Sequence, residues 1–472
     1  MRKIAIIFFV FLFSACSVGQ KYDDKDYISQ ENIKETLQIS DTSQNISNNW
    51  FEIFEDADLN TLITHALKNN FSIKQGIERL KQARYQYLIY SKQFYPMIDN
   101  NSLYSFSKSN SNKNISSDIN AFKIDFDFSW EIDVWGKGKN ISEQYEQIIN
   151  NSQLSILNIK TLIVAEVIST YTDLALSKKL LDIAYKNLKL QQDILKSVKN
   201  KYDTGTETFL ALNQAEAVIE NTKQLIPQYK TQIEQHTNSL AILLGILPNE
   251  LPIKSNLNNL KIVSNTFKYS VKNLYKLPLD VIHSRPDVSS AQTSVKEQNA
   301  VINQAIADLY PSINLDIAFG FISSSGTNLF STKSQVYSLS PEINIPIWNW
   351  GQLKNNIELQ KSIKEEYLLK YNETVLNALL ELKTAITSVE QSYKSNASAF
   401  SSLKKLENIL TLTKNKFDNG LIEFNELAKA EQDYLNAQNT LIETNASIIK
   451  NLTAFYKATG GGYNIKSKTK CF

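Results

Sequence analysis

The chain of 472 residues holds two cysteines and three histidines. That is too few for a disulfide framework or a zinc cluster. Thirteen glycines and nine prolines make up under 5% of it, where average usage is roughly 12%. So few breakers in so long a chain imply long uninterrupted helices. Neither sign of charge dominates, with 50 basic residues against 48 acidic ones. No basic surface is expected, and nucleic acid is excluded as a partner. P-loop, dinucleotide fingerprint, zinc spacing and nucleophile elbow are all missing. No enzymatic activity, cofactor or metal site is therefore expected. His65, His236 and His283 are scattered and read as helix-surface or packing residues. Apolar residues form 42% of the chain, ample for a core and too little for a helical membrane protein.

The N-terminus reads as an address. Arg2 and Lys3 precede an apolar run from Ile4 to Phe13, too short to span a bilayer as a helix. Ser14 and Ala15 supply the small residues of a cleavage site, and Cys16 follows at once. This pattern resembles the lipobox of bacterial lipoproteins, in which the cysteine is lipidated and becomes the mature N-terminus. Leu12 stands one place further from the cysteine than lipoboxes prefer, and the alternative is an ordinary signal peptide. Residues 1–15 are thus expected to be a signal segment and 16–50 a lipid-anchored extension. By the same resemblance, Ser17 after the cysteine favours the outer membrane. No later stretch approaches a transmembrane helix on this reading, so any spanning part must be β.

The rest of the chain is one unit written twice. Residues 201–216 and 416–431 are identical at seven of sixteen positions, including Gly205/Gly420, Phe209/Phe424 and Ala215-Glu216/Ala430-Glu431. The same offset of 215 relates Tyr95-Pro96 to Tyr310-Pro311, Trp135-Gly136 to Trp350-Gly351 and Gly245 to Gly460. We read residues 51–250 and 266–465 as the two copies, 251–265 as a linker and 466–472 as a tail. Residues 139–204 and 352–419 contain neither glycine nor proline. Fully helical, each would extend about 100 Å at 1.5 Å per residue. Apolar residues recur every seven places, at Leu174, Leu181, Leu188, Leu195 and Tyr202, and at Val389, Leu403, Leu410 and Phe417 with Asn396 as a polar break. The return segments repeat likewise from Leu212 and from Leu427. Such a repeat keeps one seam facing a neighbour and supercoils left-handedly. Each copy is therefore expected to hold an antiparallel coiled-coil hairpin: helices over about 137–202 and 206–244 with a tip at 203–206, and over about 352–417 and 421–459 with a tip at 418–421. Pro227 is expected to kink the first return helix.

Before each long helix the apolar period changes from seven to two. Phe122, Ile124, Phe126, Phe128 and Trp130 alternate with Lys123, Asp125, Asp127, Ser129 and Glu131. Strands are expected over about 99–109, 119–132, 312–322 and 336–347. Apolar-out, polar-in alternation over some ten residues suits a membrane β-barrel; a half-buried soluble sheet is the competing reading. Trp130, Trp135, Trp348 and Trp350 sit at the junctions where a barrel keeps its interfacial aromatics. Four strands cannot close a barrel, and open edges in lipid leave backbone groups unpaired. Several copies must share one, eight strands for a dimer or twelve for a trimer. Cys471 reads as a tail thiol.

In this order the motifs resemble the TolC-like outer-membrane efflux proteins, on the OprM/NodT-like lipoprotein branch. The similarity runs from Cys16-Ser-Val-Gly through Trp50-Phe51, Glu131-Ile-Asp133-Val-Trp135-Gly136 and Ser284-Arg285-Pro286-Asp287 to Gly460-Gly461-Gly462-Tyr463. The resemblance implies a trimer with a shared twelve-stranded β-barrel and a periplasmic α-helical barrel. It implies a passive exit duct that receives drugs or other small molecules from an inner-membrane pump of RND type through a periplasmic adaptor (membrane fusion) protein. It places adaptor contacts at Lys201, Tyr202, Gly205, Lys416, Phe417 and Gly420, and a periplasmic gate at Glu423, Glu426 and Lys429. The lysine at 429 departs from the paired acidic residues of some members. Two alternatives stay open: the duct of a type I protein or peptide secretion system, and a coiled-coil lipoprotein that tethers envelope layers without a pore.

Overall fold

The structure is a computed structural model that describes residues 18–19, 30–37, 47–111, 115–252, 274–278 and 280–462, without the side chains of 30, 108–111 and 115–119. The lipidation expected at Cys16, the tail thiol Cys471 and most of the linker lie outside the described residues. The helices are α1 (Gln30–Leu37), α2 (Ala57–Asn69), α3 (Phe71–Tyr90), α4 (Lys137–Asp203), α5 (Phe209–Leu244), α6 (Pro286–Ala307), α7 (Gln352–Asp418) and α8 (Phe424–Ala458). The strands are β1 (Met97–Ser111), β2 (Ile115–Glu131), β3 (Ser312–Ser323) and β4 (Gln335–Asn344). The chain divides into two compact units. One draws on Arg79–Gln153 and Ser290–Tyr371, the other on Asp26–Glu78, Leu154–Ser289 and the residues from Asn372 on.

The first unit is organised by a four-stranded antiparallel sheet of order β1-β2-β3-β4. The two copies join through β2 and β3, with Phe126 opposite Phe319 and Asp125 opposite Gly320. A Cβ at Gly320 would collide with the Ile124 carbonyl and with Asp125, so only glycine allows this approach. β4 ends at Asn344, short of the expected 347. Pro346 follows, and proline cannot donate to a ladder. Pro341 is tolerated within β4 because that strand lies at an edge. Asp133 accepts the backbone N–H of Lys139 at 3.1 Å at the start of α4.

The second unit holds the two hairpins. Asp56 caps α2, accepting from the N–H groups of Asp58 and Leu59 at 3.0 Å. It also accepts the hydroxyl of the fully buried Tyr171 of α4, at 3.1 Å. Asn70 caps α3 through the N–H of Ser72 at 2.8 Å and donates to the Leu243 carbonyl of α5 at 2.8 Å. The Arg-Pro-Asp signature is structural. Buried Arg285 donates to the Ala458 carbonyl that ends α8, to Asp287 and to Glu381 of α7, each at 2.8 Å. Burial opposes ionisation of Asp287, yet Arg285 beside it holds the carboxyl below its ordinary range.

The repeat is visible in the backbone. Gly136 and Gly351, Gly205 and Gly420, and Gly245 and Gly460 all have positive φ, between 68° and 83°. At both tips the N–H after the glycine bonds the carbonyl five residues back, Thr206 to Lys201 at 2.8 Å and Leu421 to Lys416 at 2.9 Å. With Gly205 to Tyr202 and Gly420 to Phe417, this is the same glycine-terminated helix end twice.

Three further expectations need correction. The return helices begin at Phe209 and Phe424, not at 206 and 421. Each connection has five residues because Thr208 and Glu423 stand in extended conformation before the first helical turn. Second, the seam of α4 shifts register beyond Leu174. Ile183, Ala184, Gln191, Ile194 and Val198 are buried, while Leu181, Leu188 and Leu195 are only half-buried. In α7 the expected register largely holds, with Val389, Asn396, Leu410 and Phe417 buried and Leu403 half-buried. Third, one window of α4 does reach the apolarity of a membrane helix, and 44% of it is buried within the protein. A buried core helix has that composition too. α5 continues through Pro227 as one helix.

Candidate functional site

Two regions carry chemistry beyond packing: the faces of the sheet and the hairpin tips. Register assigns the faces. Asp99 and Asn101 of β1, Lys123, Asp125, Asp127 and Glu131 of β2, Asn314 and Asp316 of β3, and Ser338, Ser340 and Glu342 of β4 share one side. The other side carries Ile98, Tyr104 and Phe106, then Phe122 through Trp130, Ile313 through Phe321, and Tyr337, Leu339 and Ile343 at every second place. Among the side chains described on the paired strands, that second side has no charged group. Asp125 is buried and pairs with Lys123 at 2.6 Å. The uncharged side also carries the polar residues Asn100, Ser102, Asn120 and Gln335. A sheet charged on one face and mostly apolar on the other suits a wall between water and lipid.

The four junction tryptophans fall into two kinds. The Trp130 indole donates to the Phe94 carbonyl at 2.9 Å. That of Trp135 donates to Pro311 at 2.7 Å, with its ring stacked on Tyr310. Trp348 and Trp350 are exposed and touch edge to face at 5.5 Å. Trp350 has φ 53°, the left-handed region uncommon for a bulky residue.

At the tips the hairpins pack side by side. A shared core joins Ile194 and Val198 of α4, Ala211 and Ala215 of α5, Leu410 and Phe417 of α7, and Phe424, Leu427 and Ala430 of α8. The Lys201 ammonium lies 4.2 Å from the centre of the Phe417 ring and donates to the Phe417 carbonyl. Of the six expected contact residues, Tyr202, Gly205, Lys416 and Gly420 are exposed. Phe417 is 1% exposed, and Lys201 is committed to it. Sequence reasoning missed Phe209, Leu210 and Leu421, which stand exposed around the apex. A groove of about 720 Å³ opens between the tips, with Leu210, Gly205, Gly420, Leu421 and Glu423 on its walls. Glu423, Glu426 and Lys429 are exposed, and Glu426 lies in the first turn of α8, where the helix dipole favours an anion.

Sequence reasoning also missed a buried polar pair above the shared core. Glu431 of α8 is 2% exposed and Gln191 of α4 is 3% exposed. Glu431 Oε1 has no hydrogen-bond partner, and the carboxyl faces the Gln191 amide. Burial pushes the Glu431 carboxyl up to about 7, while Gln191 and Lys414 act to lower it.

A two-faced antiparallel sheet joined to paired coiled-coil hairpins defines an outer-membrane channel. The family model for outer membrane efflux proteins matches residues 62–246 and again 277–461. The chain belongs to the outer membrane efflux protein family and serves as the exit duct of an efflux pump. It is 28% identical over 428 residues to the cation efflux system protein CusC of Escherichia coli O6:H1 (strain CFT073), covering 90% of each chain. It is 26% identical to the probable outer membrane lipoprotein SilC of Salmonella typhimurium, covering 88% of each. The solved outer-membrane channel OprN superposes with a TM-score of 0.84 at 20% identity, over 94% of this chain and 99% of that one.

Proposed function

We propose that three copies of the chain close a twelve-stranded barrel and act as the passive outer-membrane segment of a tripartite pump. The observation that carries this reading is the sheet: one mostly apolar face, one charged face, and two open edges at β1 and β4. Unpaired backbone at those edges is untenable in lipid, so each edge requires a strand from another copy. Lacking a nucleotide site, the duct depends on an inner-membrane pump, of RND type by the resemblance, for energy. A periplasmic adaptor completes the path. It engages the tips at Tyr202, Gly205, Lys416 and Gly420, and at the newly placed Phe209, Leu210 and Leu421. Three copies of Glu426, flanked by Glu423 and Lys429, form a cation-binding constriction, since like charges brought together favour bound counter-ions. Cys16 carries a lipid anchor, in keeping with a relative that is a probable outer membrane lipoprotein. The cargo is small solutes or ions, in keeping with a relative named for cation efflux. The duct itself has no catalytic role. Native mass of the membrane-extracted protein in detergent tests the assembly. Three copies are expected, and a monomer stable in mild detergent would overturn the shared barrel.

A further inference from the structure

The offset of 215 places Glu216 and Glu431 at the same position of the two copies, each after a buried alanine, Ala215 or Ala430. Glu216 faces outward. Glu431 is turned into the seam between the hairpins, directly after Ala430 of the shared core. α4 presents Gln191 to it, α7 presents Lys414, and α5 contributes Ala211 and Ala215, with Leu212 packed against them, to the adjoining core. Glu431 Oε1 has no hydrogen-bond partner there. An ionised carboxylate left so costs far more than a neutral one.

We propose that Glu431 is a proton-operated latch between the two hairpins: protonated, it lets α8 seat against α4 and holds the tips together, and ionised, it loosens that seam. The latch rests on the duct reading only for its consequence, easier opening of the tips. Its working range follows from linkage. Burial raises the carboxyl from 4.5 to about 7 in the packed state. The stabilisation is fully present below the unpacked value and is lost as pH rises through the packed one. Opening of the seam is then expected to increase about tenfold between pH 6 and pH 8.

Hydrogen–deuterium exchange on the full-length protein in detergent measures this, with rates corrected for intrinsic pH dependence. Peptides covering residues 187–203 and 424–438 should lose about tenfold in protection from pH 6 to pH 8. Glu431→Gln should hold the same peptides protected across that range, and Glu216→Gln should leave the wild-type profile unchanged. Gln191→Leu, which makes the surroundings more apolar, should move the midpoint upward; an unmoved midpoint counts against the latch even if Glu431→Gln fails to fold. Flat wild-type protection, or an unaltered step in Glu431→Gln, overturns the proposal. Conductance of the same preparation in planar bilayers separates the two readings. A conducting protein with flat protection loses the latch alone. A clear pH step with no conductance at any pH keeps the latch and removes the duct.

Discussion

The two hairpin tips share seven of sixteen residues and end up with opposite surfaces. Tyr202 and Phe209 of the first tip correspond to Phe417 and Phe424 of the second. The first pair is 38% and 63% exposed, the second 1% and 2%. In the first tip the rings lie against each other at 6.0 Å on the outside. In the second they meet edge to face at the same distance inside the shared core. Two identical hairpins packed side by side cannot both turn the same face to each other without a symmetry axis between them. Here one copy supplies the core and the other the surface. The shifted seam of α4 is the same fact seen along the helix, because Ile194 and Val198 turn toward Leu410 and Phe417. Duplication produced two similar hairpins, and packing gave matching places in them opposite surroundings.

Substitutions can break that inequality or sharpen it. The largest effect is expected from Phe417→Ala, at about 3–5 kcal/mol for removing a fully buried aromatic side chain. Tyr202→Ala at the matching place should cost under about 1 kcal/mol, since it removes a side chain already facing solvent. Denaturant unfolding of the two variants gives both numbers, and equal losses would show that the tips are not packed as described. Adaptor pull-down should reverse the order, with Tyr202→Ala the weaker binder at equal expression.

A smaller effect, and one equal at both tips, is expected where the copies remain alike. Gly205→Ala and Gly420→Ala each place a side chain at φ near 73° with nothing within 4 Å of the new Cβ. The cost is conformational only, about 1–2 kcal/mol at either site. Thermal unfolding of the pair checks it, and a difference beyond error would point to a contact at one apex. An effect smaller than that of the glycine substitutions is expected from Lys201→Met. It keeps the stem and removes the ammonium from the Phe417 ring and carbonyl, for about 1 kcal/mol. The mirror substitution Lys416→Met removes an exposed cation and should be silent in the same assay.

Much of this architecture was legible in the sequence for a simple reason. Strand and helix periods are local, and a two-faced sheet or a coiled-coil seam must repeat every two or seven residues to exist. The alternation from Phe122 to Glu131 therefore predicts which side chains share a face, and the register agrees. Glycines at matching offsets predict the tips because positive φ is a property of single residues. The lengths of the turns were misread: Thr208 caps α5 by accepting the Ala211 N–H, a signal that a threonine before the helix carries, while Glu423 stands extended with no side-chain cap. The functional site was read less well. Tyr202, Gly205, Lys416 and Gly420 were placed at the exposed apex, but Phe417 was counted as surface and Phe209, Leu210 and Leu421 were passed over. Trp130 and Trp135 resembled Trp348 and Trp350 in sequence, although the first two spend their indole N–H groups on carbonyls of their own unit.

By itself the sequence determined the repeat, the strand faces, the hairpins and their apices, since each follows from short-range pattern or from the conformational freedom of one residue type. Only the tertiary structure decided which of two equivalent residues is surface and which is core. Glu216 and Glu431 are the same residue, each after an alanine, and nothing local assigns one to the surface and the other to the seam; Tyr202 and Phe417 differ by a single hydroxyl. Their fates depend on what the neighbouring hairpin brings to the same place. Burial belongs to a pair of surfaces, and with it come the hidden carboxylate at Glu431 and the one-sided apolar tip.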